Sequence, residues 1–212
     1  MIYEFATAVR SYAGKRLMKQ WRAGDHTWFD HRVDELRWPR NIFWLERGVL
    51  ARLYLPLGGK VLDVCCGDGY FSDVFWADTA GSIDAVDRDP AALAAARHCH
   101  WRDNIAFTCA DIVNDPLPDL GYDLICFFEA IEHLSAENGR AVVETLGAAL
   151  ADGGHIVGST PQVAPTAKGK GNREHDNEFE SATQLRDFLG PDASVFVTHH
   201  PERTTLYFVI GR

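Results

Sequence analysis

Val61-Leu62-Asp63-Val64-Cys65-Cys66-Gly67-Asp68-Gly69-Tyr70-Phe71 is the stretch on which the reading of this 212-residue chain turns. Val61, Leu62 and Val64 are apolar and largely β-branched, in a run short enough for a buried strand of a parallel sheet. Gly67 and Gly69 permit positive φ and close backbone approach, and residues 70–75 resume with the apolar spacing of a helix. Strand, glycine turn and helix aim backbone N–H groups and a helix N-terminus at a ligand beyond the strand ends.

Two acids sharpen that reading. Asp87 closes the next strand-like run, residues 82–87, about 20 residues past the glycines, where an acid commonly holds the hydroxyls of a ribose. Asp63 lies beside the turn, where a carboxylate repels a pyrophosphate but suits a ligand that places an ammonium there, such as S-adenosylmethionine. Ser72 also stands where a dinucleotide-binding turn wants its third glycine or alanine. On these residues the chain resembles the class I S-adenosylmethionine-dependent methyltransferases, whose motif is an acid followed by G-x-G-x-G, with Cys65 replacing the first glycine.

The resemblance implies an α/β fold over residues 58–212, a doubly wound seven-stranded mixed sheet of the Rossmann-like kind, with a helical extension or lid over residues 1–57. S-adenosyl-L-methionine is the cofactor it implies. It places Asp63, Cys65, Gly67 and Gly69 against the methionine part, Asp87 and Arg88 at the ribose, and Asp111 with Ile112 at the adenine. Phe128 and Glu129, at the exit of the fourth strand, complete the expected cofactor contacts.

Composition fits a soluble globular protein, with no apolar run near the roughly 18 residues of a membrane span. Met1-Ile2-Tyr3-Glu4 opens no basic-then-apolar signal, so the cytoplasm is the expected location. Five cysteines, at 65, 66, 99, 109 and 126, form no C-x-x-C pair and read as reduced, buried hydrophobes. A net charge of −9 disfavours nucleic acid as a partner of the whole surface. Residues 1–60 nevertheless carry 11 Lys/Arg against 6 Asp/Glu, leaving −14 on the remainder. Such a basic segment either faces an anionic substrate or docks on its own acidic domain. No feature of the sequence fixes an oligomeric state.

In chain order, helical spacing covers residues 6–21 and 41–55, and the stretch between them crowds aromatics and histidines over residues 25–40. These either pack the extension on the domain or form a lid over the cofactor. Asp89 and Pro90 start a helix to residue 99, residues 105–109 form a third strand, and residues 122–128 a buried fourth. Ser135 caps a helix over residues 136–150, residues 155–160 make a fifth strand, and residues 161–177 read as a mobile loop near the ligand edge. A capping box from Ser181 to Gln184 starts a helix to residue 189, and strands at 193–198 and 204–210 close the domain. His98, His100, His199 and His200 carry no partner signature, and His98 and His100, at a helix end, read as surface residues.

Glu129, Glu132 and His133 form a second constellation just past the fourth strand. His133, with Glu132 beside it, suits a general base that takes a proton from a hydroxyl. Alternatively Glu129, Glu132, His133 and the loop residue His175 supply hard oxygens and imidazoles for Mg²⁺ or another divalent metal. The combination resembles two metal-dependent groups, the ubiquinone-biosynthesis O-methyltransferases, to which the chain is nearest, and the small-RNA 3′-terminal 2′-O-methyltransferases. Related enzymes that need no metal also carry E-H-L here, so both roles stay open. The expected activity is methyl transfer to an oxygen, less readily a nitrogen, of a small-molecule acceptor. RNA 2′-O-methylation, a non-catalytic S-adenosylmethionine-binding module and an NAD(P)-dependent oxidoreductase are the alternatives.

Overall fold

The computed structural model describes residues 42–100, 102–163, 175–201 and 203–212, together with helical positions 5, 6, 8, 9, 12, 13 and 16. The aromatic stretch at 25–40, most of the helix expected over 6–21 and most of the loop expected at 161–177 therefore lie outside the described residues.

Seven strands make one sheet: β1 Lys60–Val64, β2 Ser82–Asp87, β3 Ile105–Cys109, β4 Tyr122–Phe128, β5 Leu150–Pro161, β6 Ala193–His200 and β7 Arg203–Gly211. Their spatial order is β3-β2-β1-β4-β5-β7-β6. β1 to β5 run parallel, and β7 is antiparallel to both β5 and β6. The chain thus moves outward from β1 to β3 and then returns to β4 on β1's other side, which puts a topological switch point between β1 and β4. Ligands of open α/β sheets bind beyond the strand ends at such a point.

Helices cover both faces, which is why the central strands are continuous apolar runs rather than alternating ones. On one face lie α1 (Ile42–Arg52), a π-helical turn over Ser72–Trp76 and α2 (Pro90–Cys99), around a core that includes Ala51, Trp76, Leu93, Leu124 and Tyr207. On the other lie α3 (Ala136–Ala148) and α4 (Ala182–Leu189), packed with Leu62, Ile125, Phe127, Leu146 and Leu185. Asp89 caps α2 by accepting from Ala91 N at 2.8 Å, and Ser135 and Ser181 cap α3 and α4. The helix expected after the glycine turn is compressed into the π turn, a form that often marks a functional position.

Several expectations change. The helix over 136–150 stops at Ala148, and β5 begins at Leu150 and passes Gly153 at φ 78° before it pairs regularly with β4. His100 is not a surface residue: its Nδ1 meets Asp73 at 2.7 Å, and Arg102 binds the same carboxylate. His200, which carries no partner signature in the sequence, has one in the fold, since its Nε2 pairs with Glu46 of α1 at 2.9 Å. Cys65 and Cys109 are exposed rather than buried: Cys65 stands in the turn past β1, and Cys109 ends β3, an edge strand of the sheet. Among the described residues no helix is long and apolar enough to cross a membrane.

Candidate active site

The turn after β1 has three residues at positive φ: Cys65 at 59°, Gly67 at 57° and Gly69 at 71°. Gly69 is required twice over, by its φ and because a Cβ there would lie 2.6 Å from the Phe107 ring. A Cβ on Gly67 would meet nothing within 4 Å, so that glycine serves backbone shape and open approach rather than packing. Cys65 holds the left-handed conformation without being glycine, a strain of order 1–2 kcal/mol that the surrounding turn sustains.

Asp87 ties this turn to β2. Its Oδ2 accepts from Gly67 N at 2.8 Å and its Oδ1 from Asp89 N at 2.9 Å. Asp63 is buried, and its Oδ2 accepts from the Ser72 hydroxyl at 2.6 Å, so the serine that breaks the dinucleotide pattern is the residue that orients this acid. Burial pushes the Asp63 carboxyl up to about 7, against the pull of Ser72. Asp111 accepts from Val113 N and Asn114 Nδ2, two bonds that hold its carboxyl below the usual range. Ile112 lies beside it in the loop after β3, and Arg88 is exposed at the end of β2. Sequence register brings these strand ends together: Val64 is opposite both Val86 of β2 and Phe127 of β4.

The second half of the edge starts one step past Phe128. Glu129 has φ 52°, and its carboxylate accepts from the Ser159 hydroxyl at 2.8 Å and from the Arg203 guanidinium. Burial works against its charge, but Arg203 and then Arg47 outweigh burial and hold Glu129 below the ordinary carboxylate range. Glu132, buried in the 3₁₀ turn Ile131–His133, accepts from the Thr160 hydroxyl at 3.0 Å. Burial, reinforced by the Glu129 charge, pushes its carboxyl up to about 8. Its backbone oxygen also receives Asp176 N and Asn177 N, which docks the segment carrying His175.

His133 and His175 meet edge to face with ring centroids 5.0 Å apart. Ligand atoms of Glu132, His133 and His175 all lie within 4.8 Å of one another. This set of one hard oxygen and two imidazoles fits a first-row divalent ion. Glu129, expected in the same metal group, is instead engaged by Arg203 and Ser159. Burial and the neighbouring His133 hold His175 below its ordinary pKa, while Glu178, 3.5 Å away, pulls it up.

Two further residues at this edge were not legible in the sequence. Arg47 of α1 is buried with its guanidinium over Trp44 at 4.5 Å and Phe71 at 4.8 Å, and its charge reaches both Asp63 and Glu129. On the same indole lies Arg203, at 4.9 Å. A lone arginine on a helix or at a strand start has no periodic signature; the basic surplus of residues 1–60 is a signal for Arg47 alone, and Arg203 has none.

A family described as a methyltransferase domain matches residues 40–201. A probable S-adenosylmethionine-dependent methyltransferase of Mycolicibacterium smegmatis is 31% identical over 156 residues, 70% of this chain and 59% of that protein. The malonyl-[acyl-carrier protein] O-methyltransferase of Serratia marcescens is 30% identical over 135 residues, 61% of this chain and 51% of that protein. The chain therefore spans about three fifths or less of these relatives' length. Among solved structures, the N-methyltransferase NodS of Bradyrhizobium japonicum WM9, in complex with S-adenosyl-l-homocysteine, superposes with a TM-score of 0.64 at 20% identity, covering 96% of this chain and 98% of that one.

Proposed function

This chain belongs to the methyltransferase-domain family and has the class I S-adenosylmethionine-dependent fold, and on that premise we propose that it methylates an oxygen, less readily a nitrogen, of a small-molecule acceptor. The observation that carries the reading is the placement of two differently built sites on adjacent strand ends, a glycine cradle after β1 and an acid–imidazole cluster after β4.

S-adenosylmethionine supplies an electrophilic methyl on a sulfonium. Asp87 receives the ribose, Asp111 and Ile112 flank the adenine, and the turn from Cys65 to Gly69 admits the methionine part. Asp63 faces the cofactor ammonium, and Arg47, whose charge already reaches Asp63, is placed for the cofactor carboxylate. Helix α1, pinned by the Trp76 indole N–H to Gly48 O at 3.0 Å, closes one wall as part of the N-terminal lid. His133, exposed above the buried Glu132, takes the acceptor proton as the nucleophile aligns.

The clustering of Glu132, His133 and His175 favours a second reading, in which these three hold a divalent cation. Such an ion lowers the pKa of a bound hydroxyl. Glu178 would then orient His175 from behind, as carboxylates commonly do for metal-bound imidazoles.

Calorimetric titration with S-adenosylhomocysteine tests the cofactor assignment, and repeating it with Mn²⁺, in wild type and in Glu132→Gln and His175→Ala variants, separates the two proton-removal schemes. Micromolar binding of S-adenosylhomocysteine supports the reading, and its absence overturns it. Metal binding lost in both variants selects the metal scheme. Binding with no turnover on any acceptor would make the chain a non-catalytic module, and salt-sensitive RNA binding would redirect the acceptor to RNA.

A further inference from the structure

We propose that the acceptor carries an oxyanion, a carboxylate or a phosphate-type group, and that this group docks on the outer edge of Arg203. The proposal rests on the reading that the β4–β5–β7 edge receives the acceptor.

Arg203 opens β7 and bonds inward on one side only. Its Nε donates to Thr205 Oγ1 at 3.1 Å, and its Nη2 donates to Glu129. A guanidinium offers five N–H donors in a planar fork. The Nη1 edge has no hydrogen-bond acceptor among the described residues, and it is not among their sealed, unsatisfied polar atoms, so solvent reaches it. The side chain as a whole is only 16% exposed. This combination of a mostly desolvated cation and an accessible pair of donors is what binds an oxyanion firmly, through charge-assisted and often bidentate hydrogen bonds.

The local charge points the same way. Glu129 is the carboxylate that Arg203 contacts, and Arg47 draws on the same group. Glu46, a further acid close by, is occupied by His200 at 2.9 Å and by the Thr198 hydroxyl at 3.3 Å. Both guanidiniums flanking the Trp44 indole act on Glu129, while Arg47 also reaches Asp63 and Arg203 also reaches Glu132. Trp44 packs against the Arg203 guanidinium, 4.9 Å from its ring centre, and covers one side of the fork. Since the Arg203 charge also reaches Glu132, an anion held there lies close enough to the acid–imidazole cluster to set the acceptor's orientation before methyl transfer.

The test uses protein saturated with S-adenosylhomocysteine and titrated with benzoate, with its neutral counterpart benzamide as control. Saturable benzoate binding, at least about tenfold tighter than benzamide, is expected, and Arg203→Met should weaken it by about tenfold or more. Arg203→Lys keeps the charge but loses the fork and should give an intermediate loss. Glu129→Gln removes the competing acid and should strengthen benzoate binding several-fold. Equal binding of benzoate and benzamide, no saturable benzoate binding, or indifference to Arg203 overturns the proposal. Should Arg203→Met no longer bind S-adenosylhomocysteine, the lysine and Glu129→Gln variants decide, with opposite signs required. If wild type itself fails to bind S-adenosylhomocysteine, the methyltransferase reading falls; if it binds and only the anion preference is missing, this inference alone falls.

Discussion

Around β1 and β2 the contacts of the site are short in sequence: Ser72 reaches Asp63 across 9 residues, and Gly67 reaches Asp87 across 20. Around β4, β5 and β7 they are long: Thr160 reaches Glu132 across 28 residues, Arg203 reaches Glu129 across 74, and His200 reaches Glu46 across 154. The first region is a backbone cradle, held by one strand, one turn and two acids, and it can bind the same ligand wherever that unit recurs. The second is assembled from side chains on five elements, the turn after β4, β5, β6, β7 and α1, and in the proposed function it is the part that sets the acceptor. A constant cofactor and a variable acceptor call for that division of construction.

The largest effect should fall on the second region alone. His133→Ala is expected to lower turnover by about 10²–10⁴-fold, the usual contribution of a positioned proton acceptor, while S-adenosylhomocysteine affinity stays within about threefold. Steady-state rates beside calorimetry check this, and a parallel loss of cofactor affinity would show that the two regions are not separable.

Asp87→Ala attacks the first region. It removes two charge-assisted bonds to backbone N–H groups, at Gly67 and Asp89, together with the expected ribose contact. With about 1.5–3 kcal/mol for each such bond, a loss of roughly 10²-fold or more in S-adenosylhomocysteine affinity is expected. Unchanged affinity would remove Asp87 from the cofactor site.

Asp63 gives the comparison a pH signature. Its folded carboxyl titrates near 7, against an ordinary value of 3.8. Between those values the folded protein holds a proton that the unfolded chain has released, so this group's contribution to stability falls as pH rises from about 4 to about 7. Cofactor binding reverses the sign, because an ammonium beside Asp63 favours the carboxylate. Affinity should therefore rise with pH, by at most about tenfold per unit, and level off above about 7. Asp63→Asn should flatten the profile, and a slope that survives the substitution would place the titration elsewhere.

The smallest effect concerns strain. Cys65→Gly relieves a positive φ but adds freedom to the unfolded chain, so a net gain below about 1 kcal/mol is expected. A rise of a few degrees in Tm measures it, and a fall would mean that the Cys65 side chain packs more than its exposure suggests.

Much of the first region was readable because its requirements are local. Gly67 and Gly69 announce a turn through the φ values they alone tolerate, and Asp87 announces itself by distance from that turn. The capping residues Asp89, Ser135 and Ser181 likewise did in the structure what their side chains do in any helix start. The second region was readable only where residues are neighbours in the chain, at Glu129, Glu132 and His133. Its partners Ser159, Thr160 and Arg203 carry no signal of their own, since a hydroxyl in a strand or an arginine after a turn is ordinary on any surface. His100 was misread, and His200 gave no sign of its partner, for the same reason: each owes its environment to an acid, 27 and 154 residues away respectively.

The sequence by itself therefore determined the order of strands and helices, the glycine cradle and the acids that flank it, because backbone conformation and apolar period act over a few residues. Only the tertiary structure decided that Glu129 answers to Arg203 while Glu132 gathers with His133 and His175. Which carboxylate meets which cation depends on burial and on contacts between distant segments, and those exist only once the sheet has closed around its switch point.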